Sequence, residues 1–269
     1  MSDAAALPAA PPHLPPRAFV PGEVAGEGAA SLRALHALLD DLLPAGPVAI
    51  YEAGGGSTSY LPAALTRRAR ITVVDIDPDQ VARNTYADES LLGDIQTRRF
   101  AAGRFDLVVC YNVIEHVPDV AAVVERFAEC VRPGGLVLVG APHPASLSGW
   151  VTRRTPHWFH VLYYRWVRGD RRAGLPGEAP FPVHYHPLVE PAALQAFAAA
   201  HGFEPVYLRL YESPRYAELR QRWPGPARLV DAATDLVNRL VGGNVRHGDY
   251  HLLLRKAGPG AGAARHAAL

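Results

Sequence analysis

Between residues 31 and 142 the sequence alternates short apolar runs with amphipathic stretches, and this alternation leaves few folds open. The runs are PVAIYEA (47–53), RITVVD (70–75), SLLGD (90–94), FDLVVCYN (105–112) and LVLVGAP (136–142). Each has the length of a strand and is apolar enough to be covered on both faces. A first helix is predicted over Ser31–Leu43, where Leu32, Leu35, Leu38, Leu39 and Leu42 share one side. Helical spacing then recurs at Ser57–Arg68, Pro78–Asn84 and Val120–Val131. Strand, helix and strand in succession require right-handed crossovers, so the pattern predicts an α/β fold with a parallel sheet and helices on both faces. Two further strands, FEPVYLRLYE (203–212) and DYHLLLRK (249–256), follow a helix over Pro191–His201. Between them lies an amphipathic stretch, Pro226–Val241. Its apolar side is expected against the core or a second copy of the chain, with a lipid surface as a secondary candidate.

Composition confines the rest. With 269 residues, 49% hydrophobic and 20% charged, the chain can bury a real core as one domain. A formal charge of +1 gives no polyelectrolyte signal, so no nucleic-acid partner is expected. Ala, Pro and Gly dominate residues 1–30 and 257–269, which are expected to be disordered or loosely docked tails. That leaves a single domain over 31–256, with insertions at about 143–187 and 213–247. The first residues lack the basic and apolar regions of a secretory signal, and no run approaches the ~18 apolar residues of a membrane span, so a cytoplasmic chain is expected. Peripheral membrane contact and a homodimer stay open. Cys110 and Cys130 are too few for a disulfide framework or a zinc site, and Cys110, inside an apolar run, is expected in the core.

The chemistry starts where the first strand ends in Gly54, Gly55 and Gly56. Parallel sheets bind ligands at the carboxyl ends of their strands, and glycines there admit a ligand close to the backbone. Asp75 ends the second strand, about 20 residues on, where a carboxylate can accept both hydroxyls of a ribose. Glu52 discriminates between cofactors. A carboxylate beside the turn repels a pyrophosphate and favours a ligand carrying ammonium and sulfonium charges.

These residues resemble the class I S-adenosylmethionine-dependent methyltransferases. Glu52-Ala53-Gly54-Gly55-Gly56 is similar to their first motif and Val73-Val74-Asp75-Ile76-Asp77 to the second. Gly93-Asp94-Ile95 is similar to the third, in which Asp contacts the adenine amine and its neighbour packs on the ring. Phe105 to Val117, with Tyr111 and Asn112, resembles the fourth, and Arg132-Pro133-Gly134-Gly135 the turn before strand five. The resemblance implies a Rossmann-like, doubly wound seven-stranded sheet, mostly parallel with the last strand antiparallel. It also implies S-adenosyl-L-methionine held by Glu52, Ala53, Gly54, Gly55, Gly56, Asp75, Ile76, Asp94, Ile95, Tyr111 and Asn112. Asp94 could instead cap a turn, and Asp77, before Pro78, reads as a helix cap.

Methyl transfer from a sulfonium needs alignment of acceptor, methyl and sulfur, and a base only where the acceptor loses a proton. His143, after strand five, and His116, after strand four, are the candidate bases. The fourth motif also resembles the ubiquinone-biosynthesis O-methyltransferases, whose Glu-x-x-Glu-His arrangement is associated with a divalent metal. Here Asn112 replaces the first Glu, and Glu115 with His116 are too few ligands to predict a metal.

Residues 152–172 hold six arginines with histidines and aromatics against one acid, Asp170. This segment reads as an acceptor wall, a membrane-surface element, a nucleic-acid contact, or a small core with solvated arginines. Its position after strand five favours an acceptor pocket, lined by His157, His160, Tyr163, Tyr164 and Arg165 together with His184, Tyr185 and His186. The function expected is methylation of a small-molecule acceptor, most readily a hydroxyl on a sugar-containing or other natural-product metabolite. N- or C-methylation stays open, as do a cyclase that keeps the cofactor as scaffold and a basic surface-binding protein.

Overall fold

The computed structural model describes residues 19, 21–22, 24–166, 169–175, 180–184 and 186–258, so most of the two expected tails lies outside the described residues, as does Tyr185. The seven strands are β1 (Val48–Ala53), β2 (Ala69–Asp75), β3 (Glu89–Leu92), β4 (Phe105–Tyr111), β5 (Val131–Pro142), β6 (Phe203–Tyr211) and β7 (Asp249–Lys256). They form one sheet in the order β3-β2-β1-β4-β5-β7-β6. β1 to β5 pair in parallel, and β7 runs antiparallel between β5 and β6. The strand order reverses between β1 and β4, which opens a crevice at their carboxyl ends.

The helices are α1 (Gly26–Leu42), α2 (Ala63–Arg68), α3 (Pro78–Arg83), α4 (Val120–Cys130), α5 (Leu147–Arg154), α6 (His157–Trp166), α7 (Pro191–Ala200), α8 (Pro214–Arg222) and α9 (Pro224–Val241). Alternation along the strands builds two cores. Val108, Cys110, Val139 and Leu252 pack with Phe127 of α4 on one face. Leu107, Val109, Leu138 and Leu253 pack with Leu35 and Leu39 of α1 on the other. Phe105 and Val108 share a face despite their odd spacing because the register slips between Phe105 and Leu107. Both cysteines are buried thiols, as expected for Cys110.

Several boundaries depart from the sequence expectation for identifiable reasons. α1 starts at Gly26, inside the expected tail, and Gly28 lies close enough to the Tyr211 ring that a Cβ there would stand 2.7 Å from it. α2 starts only at Ala63, after Pro62, because Ser59 is drawn away to Glu52 and pairs as a bridge with Pro21. Asp77 caps α3, accepting from the Asp79 and Gln80 amides, as its place before Pro78 indicated. β5 already begins at Val131, since Gly134, at φ 77°, carries the chain through the presumed turn without ending the strand. Helices α5, α6 and α8 were not anticipated.

The largest correction concerns α9. The periodicity holds and the core alternative fails: Leu229, Leu236 and Leu240 are exposed, and the polar side is the one fixed to the protein, which leaves the second copy and the lipid surface as the expected partners of the apolar side. Asp231 accepts from the Tyr216 hydroxyl (3.1 Å) and Arg220 (3.2 Å), Asp235 pairs with Arg246 (3.2 Å), and Asn238 accepts from the Val245 amide (2.7 Å).

Candidate active site

The glycine turn closes β1 at the strand-order reversal. Gly54 adopts φ 68° and donates its amide to the Val74 carbonyl (2.7 Å), and a Cβ there would stand 2.5 Å from the Val113 methyls. Glycine is therefore required twice over at this position, by its backbone conformation and by the close approach of Val113. Gly56, at φ 53°, donates to Asp75 Oδ2 at 2.9 Å, which ties the turn directly to the end of β2. Asn84 Nδ2 donates to the Gly56 carbonyl (2.6 Å), so the turn is held from both sides.

Glu52 lies near the end of β1, two residues before Gly54. It is buried, accepting from Ser59 Oγ on Oε1 (2.6 Å) and from the Tyr86 hydroxyl on Oε2 (3.0 Å). Burial pushes its carboxyl up to about 7, against the pull of the Ser59 and Tyr86 hydrogen bonds. The Tyr86 hydroxyl also lies 3.2 Å from the Thr58 carbonyl, so one buried acid and one buried phenol fix residues 52–59 as a unit. Tyr86 was not singled out from the sequence, because its partner lies 34 residues earlier and no local motif marks it.

Asp75 Oδ2 receives the Gly56 amide and Oδ1 the Asp77 amide (2.9 Å). Each oxygen keeps a lone pair, so the carboxylate can still accept two hydroxyls of a ligand. Ile76, next in sequence, is 72% exposed, an apolar wall without a cover beside that carboxylate. The end of β3 is drawn in by the Gly93 amide on the Asp75 carbonyl (2.9 Å). Asp94 is engaged by Gln96, through the backbone amide (2.8 Å) and the side-chain amide (2.8 Å), and Ile95 is packed in the core. Ala53 is likewise a core residue. At the end of β4, Asn112 holds φ 55°, a costly conformation for a side chain other than glycine. Its amide nitrogen lies 3.5 Å from the Tyr60 hydroxyl, and Tyr60 stacks on Tyr111 at 3.9 Å between centroids. A conformationally strained residue, a glycine turn, an uncovered isoleucine and a carboxylate with spare acceptor capacity thus meet on one edge. They fit a nucleoside joined to a short polar chain.

Behind Tyr111 lies a group the sequence reading missed. His251, buried on β7, places Nε2 at 2.6 Å from the Tyr111 hydroxyl and 3.1 Å from that of Tyr211, with Nδ1 at 2.7 Å from Ser31 Oγ. Ser31 in turn meets the Tyr207 hydroxyl at 3.1 Å. Four elements, α1, β4, β6 and β7, are joined through one imidazole, and its pKa is lowered to about 3 by burial.

The two candidate bases sit in different surroundings. His143 is buried, its Nδ1 3.2 Å from the His247 carbonyl and its Nε2 4.0 Å from Glu190, and burial lowers its pKa. His116, in a single 3-10 turn after β4 (Ile114–His116), places Nδ1 at 2.6 Å from the Pro182 carbonyl and Nε2 at 3.6 Å from Glu115 Oε1. The His184 amide donates to the Glu115 carbonyl (2.9 Å), which brings residues 181–184 over this turn with the exposed His184 side chain beside it. Other expected acceptor residues serve their own segment. His160 Nε2 meets Thr155 Oγ1 (2.7 Å), Arg165 donates to the Ala173 carbonyl (2.8 Å), and His186 accepts the Leu188 amide (3.1 Å) as a cap. Tyr164 is buried, Tyr163 partly so, and His157 is exposed on the first turn of α6.

Residues 51–139, from β1 into β5, match the family model of the methyltransferase domain. The ubiquinone biosynthesis O-methyltransferase of Acinetobacter baylyi is 27% identical over 165 residues, 52% of this chain and 68% of that protein. The enzyme of the same name from a Methylobacterium is 32% identical over 158 residues, 50% of this chain and 61% of that protein. With 64% of a third such relative spanned, the chain covers about two thirds or less of each of these proteins. An S-adenosylmethionine-dependent methyltransferase from Mesorhizobium loti superposes with a TM-score of 0.51 at 16% identity, over 86% of this chain and 99% of that one, a likeness of fold. Sheet order, the glycine turn with its β2 carboxylate and the matched segment converge: residues 51–139 form a methyltransferase domain, carried on the seven-stranded fold of the class I S-adenosylmethionine-dependent methyltransferases.

Proposed function

We propose that this chain transfers the methyl group of S-adenosylmethionine to an oxygen of a small hydroxylated acceptor. The single observation that carries the reading is the Asp75 carboxylate, tied to Gly56 and Asp77 yet able to accept a ribose, next to the uncovered Ile76. The O-methyltransferase names of the relatives support oxygen as the receiving atom, and the sugar-containing or natural-product acceptor read from the sequence is a narrower form of the same proposal.

The bound cofactor supplies a methyl group activated by a sulfonium. The acceptor oxygen takes the methyl as the carbon–sulfur bond breaks, and its proton must leave. His116 is the better-placed base of the two. His116 Nδ1 donates to the Pro182 carbonyl, and Nε2, 3.6 Å from Glu115 Oε1, is the nitrogen assigned to take that proton, with Glu115 stabilising the imidazolium. His143, closed in by His247 and Glu190, is assigned to holding the chain where it leaves β5. His116→Ala is expected to lower kcat about a hundredfold or more while leaving cofactor affinity within a factor of about two. Label transfer from methyl-tritiated S-adenosylmethionine to a panel of catechols and sugars measures this, and an unchanged kcat removes His116 from the chemistry.

A further inference from the structure

We propose that α5, α6 and α9 form an interfacial surface that docks on an anionic lipid bilayer. This reading is independent of the acceptor and of the base. α9 is mounted the wrong way round for a helix of a soluble domain. Its polar side carries the ion pairs and hydrogen bonds that fix it, and its apolar side is turned to solvent, with Leu229 and Leu240 each 75% exposed. A surface helix buries its apolar stripe unless another medium is to receive it.

α5 and α6 repeat the arrangement. Trp150 and Val151 on α5, and Trp158, Leu162 and Trp166 on α6, are exposed at helical spacing. The chain has four tryptophans, and all are on or beside these helices and between 52% and 82% exposed: Trp150, Trp158, Trp166 and Trp223. Tryptophan with an apolar ring and one donor suits the boundary between acyl chains and headgroups. The surfaces share an origin, since the Leu147 amide at the start of α5 donates to the Val245 carbonyl just after α9 (2.7 Å).

Charge selects the occupant. Residues 147–166 contain three arginines and no acid, and residues 214–241 five arginines against three acids, of which Asp231 and Asp235 are held by Arg220 and Arg246. The protein carries only +1 in total, so this side concentrates its positive charge. Exposed leucine and tryptophan flanked by arginine match an anionic headgroup layer over an acyl interior better than they match a copy of the same basic surface. No helix among the described residues is long and apolar enough to cross a membrane, so the contact proposed lies in the plane of one leaflet.

The test uses the full chain with vesicles of phosphatidylglycerol and phosphatidylcholine in equal parts, against phosphatidylcholine alone. Because every tryptophan lies on the proposed surface, intrinsic emission reports insertion directly. The expected result is co-sedimentation with the anionic vesicles, an emission shift to shorter wavelength, and at least about tenfold weaker partitioning for Leu236→Asp with Leu240→Asp. Circular dichroism of that variant checks folding, and the wild-type emission shift stands without it. Absence of co-sedimentation overturns the proposal. So does co-sedimentation abolished by salt with no emission shift, which leaves only arginine contact. Vesicle-independent self-association that the same variant disrupts overturns it as well, assigning the face to a second copy.

Discussion

Asp75→Ala is expected to weaken S-adenosylmethionine binding about a hundredfold or more. The carboxylate would accept two ribose hydroxyls, each charge-assisted hydrogen bond is worth about 1.5–3 kcal/mol, and every ~1.4 kcal/mol is tenfold in affinity. Part of the loss would come through the turn, because the Gly56 and Asp77 amides lose their acceptor. Asp75→Asn separates the two effects. The amide keeps one oxygen, so its affinity should fall between those of wild type and the alanine variant. Burial raises the Asp75 pKa from its ordinary value, against the pull of the Asp77 and Gly56 amides. Affinity should therefore fall as acid protonates the carboxyl in the wild type, and this acid limb should vanish in Asp75→Asn. Calorimetric affinity unchanged in both variants would remove the ribose from β2.

His251→Phe is expected to be the most destabilising change on the sheet. The ring nitrogens serve Tyr111, Tyr211 and Ser31, and leaving buried partners unsatisfied costs about 1–3 kcal/mol each, so a loss of roughly 3 kcal/mol or more follows. The pH dependence is specific. An unfolded His251 titrates near the ordinary 6.5 and the folded one near about 3, so between these values the unfolded state binds the extra proton. Wild-type stability should fall as pH drops from about 6.5 toward 3, at up to about 1.4 kcal/mol per unit from this group. The gap between wild type and His251→Phe should then close by several kcal/mol. Urea unfolding at a series of pH values measures it, and a gap that stays constant from neutral pH to pH 4 contradicts the buried neutral imidazole.

β1, β2 and β4 were legible because largely buried parallel strands are continuous apolar runs, and the bounds of antiparallel β7 agree to the residue. The glycine turn and Asp75 were legible because their spacing along the chain is set by one strand, one helix and the next strand. Partners distant in sequence were not. Nothing local to Glu52 reveals that the Ser59 and Tyr86 hydroxyls bond its two oxygens. His251 is silent for the same reason, with Ser31 lying 220 residues away. For α9, periodicity defines a stripe but not the direction in which it points. That direction is set by Arg220 and Arg246, which capture Asp231 and Asp235 on the opposite side.

A structure with S-adenosylhomocysteine bound decides whether the β1, β2 and β4 carboxyl ends hold the cofactor. The ribose hydroxyls are expected on Asp75, the adenine against Ile76 and the amino-acid portion along Gly54–Gly56. A nucleoside bound away from the β1, β2 and β4 carboxyl ends, with Asp75 still turned only to Gly56 and Asp77, would contradict that placement.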